Sequence, residues 1–336
     1  MNLKILSLIV FVCITNLVCG QTISGKIIDA TTKQPLEAVA IYFDNTTKGT
    51  TTNNKGEFSF SYTNAIQSPL VITYLGYKKQ LITDYRNPKF LNIQLEESHE
   101  SLDEVVINAN DGLTRKEKLK VFRREFLGTS GFGTSCTILN EEAVILKYLK
   151  KENRLIAYSY EPLKIENVAL QYLITYDLSS FSAKFAHANP KTNNFEVNEA
   201  GFQGNPYYQD MPVFNRQKAI RNRARAYRGS TLQFMRALYA GNLEEEKFKI
   251  HVNRTSVPIH QVFEIELFDN GIKKINLKKN DFSISYRNKQ FSQTQVRSPY
   301  FLVDIYGNYN KVSKIIFSGY IGSRRFGDLL PFDYGL

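Results

Sequence analysis

The runs that decide the fold are ISGKIID at 23–29, AVAIYF at 38–43, FSFSY at 58–62, LVITYLGY at 70–77 and FLNIQL at 90–95. Apolar and polar residues alternate along most of them, which is the period at which a strand presents one face to a core. Phe58, Phe60 and Tyr62 are therefore predicted on a single face. Glycine, asparagine and other polar residues separate the runs, and this spacing is typical of an antiparallel β-sandwich.

The same stretch resembles a known family. The matching pieces, in chain order, are Gly25 to Asp29, Gln34-Pro35-Leu36, Ala38 to Ile41, Gly49 to Thr52, Gly56-Glu57-Phe58 and Tyr74 to Tyr77. Their order resembles the carboxypeptidase-like regulatory domain, a transthyretin-like sandwich common in envelope proteins of Bacteroidota. The resemblance implies an accessory domain that carries no catalytic groups, whatever its name suggests.

A short β-branched run, LDEVVI at 102–107, follows an acidic linker. In TonB-dependent receptors with this front domain, a similar Leu-x-Glu-Val-Val motif lies close to the TonB-contacting segment. The resemblance implies that Leu102, Val105, Val106 and Ile107 could add as a strand to a TonB-like partner. A last sandwich strand and a domain linker are the alternatives. Only 229 residues remain after Ile107, too few for a receptor's plug and barrel.

Residues 1–20 have the three parts of a secretory signal: Lys4, an apolar run from 5 to 12, and a small-residue cleavage site before Gln21. We therefore expect an exported protein, periplasmic or associated with the outer membrane. A lipid-modified cysteine normally follows a small residue, and Val18 precedes Cys19, so a cleaved signal is favoured over a lipoprotein. Beyond residue 20 only Cys136 remains, which excludes an internal disulfide and is interpreted as a buried small hydrophobe.

The back region opens with a predicted helix. Thr114 and Glu117 have the spacing of a capping box, and Gly128 is placed to end the helix. The glycine-rich run at 128–133 follows this helix and does not lead into one, so it is interpreted as a helix-to-strand loop and not as a phosphate loop. Strand patterns then dominate, with helices near 216–228 and 230–238.

These patterns predict a mainly β protein in which an antiparallel transthyretin-like sandwich precedes an α+β, mostly antiparallel domain. The predicted divisions are a signal peptide at 1–20, the sandwich at 21–97, a linker at 98–112 and an α+β domain at 113–336. Blocks such as Glu161 to Asn167 and Ala226 to Ser230 are similar to exported proteins that pair this sandwich with a domain of unknown function. That resemblance implies no activity.

The helix at 216–228 carries the candidate binding residues. On a helical wheel Ala219, Ile220, Ala224 and Tyr227 gather on one face, and the basic residues opposite them are Lys218, Arg221, Arg225 and Arg228. This basic face is either a solvated surface or a site for an acidic glycan, a lipid head group or a protein. Arg223 falls on the apolar side, where it requires an internal carboxylate or carbonyl partner and is a candidate buried ion pair.

The formal net charge is +11, or +10 once Lys4 leaves with the signal. An exported chain with this charge is expected to meet an envelope protein, an acidic glycan or a lipid head group, and not nucleic acid. None of the four histidines has the spacing of a zinc site, and no Gly-x-Ser-x-Gly elbow occurs. The sequence thus predicts no cofactor and no metal.

The function that follows is a non-enzymatic interaction or positioning module that binds an envelope protein or polysaccharide. Two alternatives stay open. One is an accessory to a TonB-dependent transport system, which would depend on residues 102–107. The other is an enzyme acting on envelope glycans, which would need a pocket holding two convergent carboxylates.

Overall fold

The computed structural model describes residues 21–63, 66–86, 90–98, 111–192, 194–269 and 271–336. The described chain is mainly β, as the sequence predicted, and is arranged in several largely antiparallel sheets. The predicted signal at 1–20 and the run at 102–107 lie outside the described residues.

Two facing sheets form the front sandwich. Their strands are β1 Gln21–Asp29, β2 Ala40–Phe43, β3 Gly49–Thr51, β4 Glu57–Tyr62, β5 Leu70–Thr73, β6 Gln80–Ile82 and β7 Leu91–Leu95. One sheet has the order β4-β1-β7 and the other the order β3-β2-β5-β6. The pairings are antiparallel except that β1 and β7 run parallel. The sequence did not predict this exception, because alternation within a strand does not identify its partner.

The sandwich core follows the alternation of its strands. Phe58 and Tyr62 are buried and Phe60 is half-buried between them, which confirms the predicted single face of β4. Ile27 of β1 and Phe43 of β2 are fully buried against this face. Each large side chain removed from water in this way stabilises the fold by about 1.5 to 3 kcal/mol.

Helix α1, Arg115–Phe126, begins at Thr114 as predicted. The Glu117 amide donates to the Thr114 hydroxyl (3.3 Å), and the Thr114 amide donates to the Glu117 carboxylate (2.7 Å). This is the capping box expected from the spacing. The helix ends where Gly128 adopts a φ of +99°, a conformation that a residue with a Cβ rarely takes.

A six-stranded antiparallel sheet receives α1. Its strands are β8 Cys136–Ile138, β9 Val144–Leu149, β10 Arg154–Ser159, β11 Leu163–Asn167, β12 Tyr172–Asn189 and β13 Asn194–Asp210. They follow the order β8-β11-β12-β10-β9, with β13 paired to β12. Phe122 and Phe126 of α1 stack at 5.1 Å and pack edge-on against Phe181 and Tyr176 of β12. The glycine-rich loop leads from α1 into β8, as predicted.

A second core lies beyond this sheet. Helix α2, Arg216–Tyr227, precedes it and adds Ala226 to the core of the six-stranded sheet. The second core is built on helices α3 Thr231–Ala240 and α4 Gly319–Gly322 and on strands β14 Phe248–Val252, β15 Thr255–Val257, β16 Phe263–Asp269, β17 Ile272–Leu277, β18 Asp281–Tyr286, β19 Gln290–Val296, β20 Tyr300–Val303 and β21 Ile315–Ser318. The strands form a sheet of order β15-β14-β18-β19-β21 and another of order β16-β17-β20. Helix α3 buries Phe234 and Leu238 between them. Residues 113–336 thus contain two hydrophobic cores.

The sandwich is joined to the six-stranded sheet by main-chain pairing. The Asn45 amide donates to the Pro206 carbonyl (2.8 Å), and the Tyr208 amide donates to the Thr46 carbonyl (3.0 Å). The rings of Tyr42 and Tyr207 stack at 5.0 Å beside this bridge. The two parts therefore share a continuous, partly buried junction.

The segment from 324 to 334 connects the cores. Phe326 stacks on Phe126 at 5.1 Å with an interplanar angle of 3°. The Phe332 amide donates to the Asn45 carbonyl of the sandwich (2.6 Å). Arg236 of α3 donates to the carbonyls of Phe332 (2.7 Å) and Tyr334 (2.8 Å). The segment consequently contacts all three parts of the molecule.

No helix among the described residues is long and apolar enough to cross a membrane.

Candidate functional site

The basic helix predicted at 216–228 is α2, and its buried face differs from the predicted one. Asn215 caps it by accepting from the Lys218 amide (2.9 Å). Ala219 and Ala226 are buried, but Ile220 is 60% exposed and Asn222 is buried in its place. Asn222 tolerates burial because its amide donates to the Ala169 carbonyl (2.8 Å). The helical wheel was wrong to place Ile220 on the buried face. It uses only spacing and hydropathy, and the Ala169 carbonyl that accepts from Asn222 belongs to another part of the chain.

Arg223 fixes α2 on the sheet. Its Nε donates to the Leu170 carbonyl (2.8 Å), and its Nη2 donates to the Gln171 carbonyl (2.9 Å) and to Asp210 (2.7 Å). The guanidinium lies 3.6 Å from the centre of the Tyr172 ring. The Arg223 side chain is 13% exposed and Asp210 is 55% exposed, so this internal ion pair is buried on one side only. Arg223 is therefore a positioning residue.

A cleft of about 930 Å³ opens beside the end of α2. Its walls come from the glycine-rich loop, the β18–β19 hairpin and the segment around α4. The basic residues that line it are Arg225, Arg228, Arg287, Lys289 and Arg324. Two of the four predicted basic residues, Arg225 and Arg228, are thus in the cleft lining, whereas Lys218 and Arg221 lie elsewhere on the helix.

The cleft cations are not neutralised by carboxylates. In the described part of the chain, none of the five forms an ion pair. Asp328 is the one carboxylate among the described lining residues. It is 5% exposed, and it accepts from the Arg325 amide (3.2 Å). Five positive charges therefore face the cleft with one carboxylate behind them.

Aromatic rings hold three of these arginines in place. The Arg225 guanidinium lies 5.7 Å from the Phe132 ring centre, Arg287 lies 5.4 Å from Tyr286, and Arg324 lies 4.9 Å from Tyr320. A guanidinium on a ring face keeps its full charge and, where no other group accepts from its N–H edges, leaves them available to a ligand. These arginines are therefore held in place for an anion without forming ion pairs in the described part of the chain.

Arg324 is the most constrained of the five. It donates through Nη1 to the Ala226 carbonyl (2.8 Å) and through Nη2 to the Arg228 carbonyl (3.1 Å) and the Tyr320 hydroxyl (2.6 Å). The two carbonyls are at the carboxyl end of α2, where the helix dipole favours a cation. The end of the helix and the Tyr320 ring together fix this charge at the edge of the cleft.

Arg287 and Lys289 come from the tight hairpin between β18 and β19. Arg287 and Asn288 adopt positive φ values of 53° and 54°, which are uncommon for residues other than glycine. The Lys289 amide donates to the Tyr286 carbonyl (3.1 Å) and closes the turn. The sequence analysis missed these two cations, although the Arg-Asn-Lys run between two alternating strands was the available signal.

The glycine-rich loop lines the cleft but has no free phosphate cradle. Ser130 accepts from the amides of Phe132 (3.2 Å) and Gly133 (3.0 Å), so these donors are already used. Burial raises the pKa of the neighbouring Cys136 thiol to about 12. That thiol therefore stays protonated near neutral pH and is no nucleophile.

The other candidate groups give no metal centre within the described ranges. No group of three or more His, Cys, Asp or Glu side chains there is placed to hold a metal ion. Leu102, Val105, Val106 and Ile107, the candidates for strand addition, lie outside the described residues. The arrangement that remains, a cationic and aromatic cleft, can bind an anionic ligand.

Comparison with known families confirms the resemblance seen in the front region: residues 23–107 match the CarboxypepD_reg-like domain. No curated protein matches the chain.

Two solved structures are similar in part. One is a DUF3823 family protein from Bacteroides ovatus ATCC 8483, with 12% identity, covering 58% of this chain and 82% of that one, at a TM-score of 0.18. The other, from Bacteroides fragilis NCTC 9343, has unknown function and is described as membrane-associated. It has 13% identity and covers 84% of this chain and 92% of that one, at a TM-score of 0.20. These scores are too low to establish a shared fold.

Proposed function

We propose that this protein is a non-enzymatic module of the cell envelope that binds an acidic polysaccharide in the basic cleft. The observation that supports the proposal most directly is the set of five cations lining about 930 Å³ with no carboxylate paired to them in the described chain. Like charges gathered in a concave, low-dielectric site raise the local concentration of a ligand of opposite charge. The signal pattern at 1–20 supports export, where acidic glycans are available as ligands.

The shape of the site favours a polymer chain over a bilayer. The cleft volume is at the upper end of the range for sites that take small ligands, so it has room for several sugar units. Lipid head groups form a flat surface, whereas the five cations line the walls of a cleft that a polymer chain can enter. The half-buried rings of Phe132 and Tyr320 supply the apolar contact that sugar rings use.

A binding role is supported over hydrolysis by the cleft's carboxylate content. Glycoside hydrolysis requires two carboxyl groups that flank the scissile bond. Among the described lining residues Asp328 stands alone, and it is buried. In this role the sandwich acts as a positioning module, because its junction with β13 holds it against the sheet that carries α2.

The test is binding of residues 21–336 to polygalacturonate, measured by calorimetry at about 50 and 300 mM NaCl. We expect the triple variant Arg225→Ala, Arg287→Ala, Lys289→Ala to lose tenfold or more in affinity, since about 1.4 kcal/mol accounts for a factor of ten. We also expect binding by the unsubstituted chain to weaken at the higher salt concentration.

The matched control is Lys218→Ala with Arg221→Ala, which removes two cations from the same helix outside the cleft. We expect this variant to bind like the unsubstituted chain. Equal losses in both variants would show a diffuse charge effect and would contradict the proposal, as would binding that is indifferent to salt.

A further inference from the structure

The cleft contains a set of exposed cations and a hydrogen-bond acceptor that has no partner in the described part of the chain. Gln290, the first residue of β19, lines the cleft opposite the end of α2. Its Oε1 is buried and makes no hydrogen bond with any residue in the described ranges. Buried polar atoms are normally bonded, and the Gln290 side chain is half-buried in the cleft wall, so turning its amide toward the cleft would let a ligand's donor complete this hydrogen bond.

Gly229 lets the oxygen reach this position. Gly229 has a φ of +68°, and a Cβ built on it would stand 2.7 Å from Gln290 Oε1 and 3.0 Å from the Tyr286 ring. A larger residue would therefore displace the Gln290 amide. The absence of a side chain at Gly229, just after the end of α2, consequently leaves room for the Gln290 amide.

A buried hydrogen-bond donor that also lacks a partner among the described residues lies in the same cleft. Arg324 uses Nη1 and Nη2 for the end of α2 and for Tyr320, but its buried Nε has no partner among the described residues. The cleft wall thus holds one donor and one acceptor that have no partner among the described residues, beside the charges of Arg228 and Arg287. A ligand that satisfies all of them must bring both an anion and a hydroxyl or amide donor.

We infer that the cleft selects a uronic-acid-type sugar, whose carboxylate binds the arginines while a neighbouring ring hydroxyl donates to Gln290 Oε1; this rests on the proposed function. Polyphosphate carries comparable charge but has only acceptor oxygens along its chain, so it would leave Gln290 unsatisfied. The acceptor is already unsatisfied in the free protein, so a sugar hydroxyl gains a hydrogen bond that polyphosphate cannot make. Discrimination between the two polymers therefore comes from the amide and not from the charge.

The experiment compares binding of polygalacturonate, its methyl ester and polyphosphate to residues 21–336 and to the variant Gln290→Met. Methionine keeps the length of the side chain and removes the acceptor. We expect the unsubstituted chain to prefer polygalacturonate over polyphosphate at equal charge concentration. Gln290→Met should lower affinity for polygalacturonate by about tenfold and leave polyphosphate binding unchanged. The methyl ester, which keeps the hydroxyls but not the charge, should not bind.

The matched control is Gln293→Met, an exposed glutamine of the same strand. Its affinity for both polymers should equal that of the unsubstituted chain, and a thermal melt should show that both variants fold. Equal binding of the two polyanions, or an unchanged preference in Gln290→Met, would overturn this inference and leave the proposed function intact. Failure of every polyanion to bind would overturn the proposed function itself.

Discussion

Ring contacts, not carboxylates, organise the charged residues of the cleft. One guanidinium lies against each of the rings of Phe132, Tyr286 and Tyr320, so each positive charge is positioned without being neutralised by a carboxylate of the chain. Elsewhere the chain uses internal pairing, as where Lys118 meets Asp111 at 2.7 Å with both side chains about nine-tenths buried. The contrast separates cations that stabilise the fold from cations available to a ligand.

A buried carboxyl at the junction makes stability depend on pH. Burial raises the pKa of the Asp44 carboxyl to about 6 from its ordinary 3.8, and the Asn205 side chain and Lys79 oppose the rise. Because the folded chain resists ionisation of Asp44 more than the unfolded chain does, this group favours folding fully below about pH 4. That stability is lost as the pH rises through about 6.

Replacing Asp44 with Asn should therefore raise the free energy of unfolding above pH 7 by roughly 3 kcal/mol relative to its effect at pH 4. Denaturant unfolding between pH 4 and 8 measures this. Burial also raises the pKa of Asp304 to about 6, so the free energy of unfolding of the variant should still depend in part on pH. Asp281→Asn, at an exposed position, is the control. If the free energy of unfolding changed with pH identically in Asp44→Asn and in the unsubstituted chain, the raised pKa of Asp44 would be contradicted.

Single-residue patterns explain only part of the site. The wheel identified Arg225 and Arg228 because they are on one helix. Arg287 and Arg324 are about 60 and 100 residues further along, and periodicity within one element does not bring separate segments together. The wheel also placed Ile220 inward, because the carbonyl that receives Asn222 belongs to a different element.

At the scale of elements, local chemistry in the sequence was sufficient to predict where α1 begins. Its first turn is fixed by side chains within four residues of each other, so the capping box could be recognised without any tertiary contact. Strand existence was similarly predictable from alternation. Strand partners were not, since the parallel pairing of β1 with β7 joins segments more than 60 residues apart.

Removing the cap of α1 should cost stability in proportion to one lost hydrogen bond. We expect Thr114→Ala to lower the free energy of unfolding by about 1 kcal/mol, measured by urea denaturation. Thr114→Ser retains the hydroxyl and should remain within a few tenths of a kcal/mol of the unsubstituted chain. Equal destabilisation by both substitutions would mean that the threonine methyl group, and not the cap, is what matters.

At the scale of the whole molecule, the junction decides whether the parts unfold together. Asp333 accepts from the Thr47 amide (3.0 Å) and from the Thr47 hydroxyl (2.5 Å), linking the late segment to the sandwich. The Thr63 hydroxyl and the Tyr306 hydroxyl make a further link at 2.6 Å. None of these contacts could be read from one sequence, because each joins residues more than 200 positions apart.

A double-mutant cycle on Thr47→Val and Asp333→Asn tests this coupling. We expect each single change to destabilise the chain and the pair to be non-additive by about 1 to 2 kcal/mol, because both changes break the same contact. Calorimetry of the unsubstituted chain should show one transition, and the double variant should separate the sandwich transition from the rest. Strict additivity would mean that Thr47 and Asp333 act independently.

The position of Phe326 and Phe332 has a consequence for how the protein is made. Phe326 fills a core whose other rings, such as Phe126 and Tyr176, are synthesised 150 or more residues earlier. Phe332 packs against that core and against the sandwich. A nascent chain therefore cannot complete either core until residues 326–332 have left the ribosome. Until then, the rings of both cores lack their last packing partners.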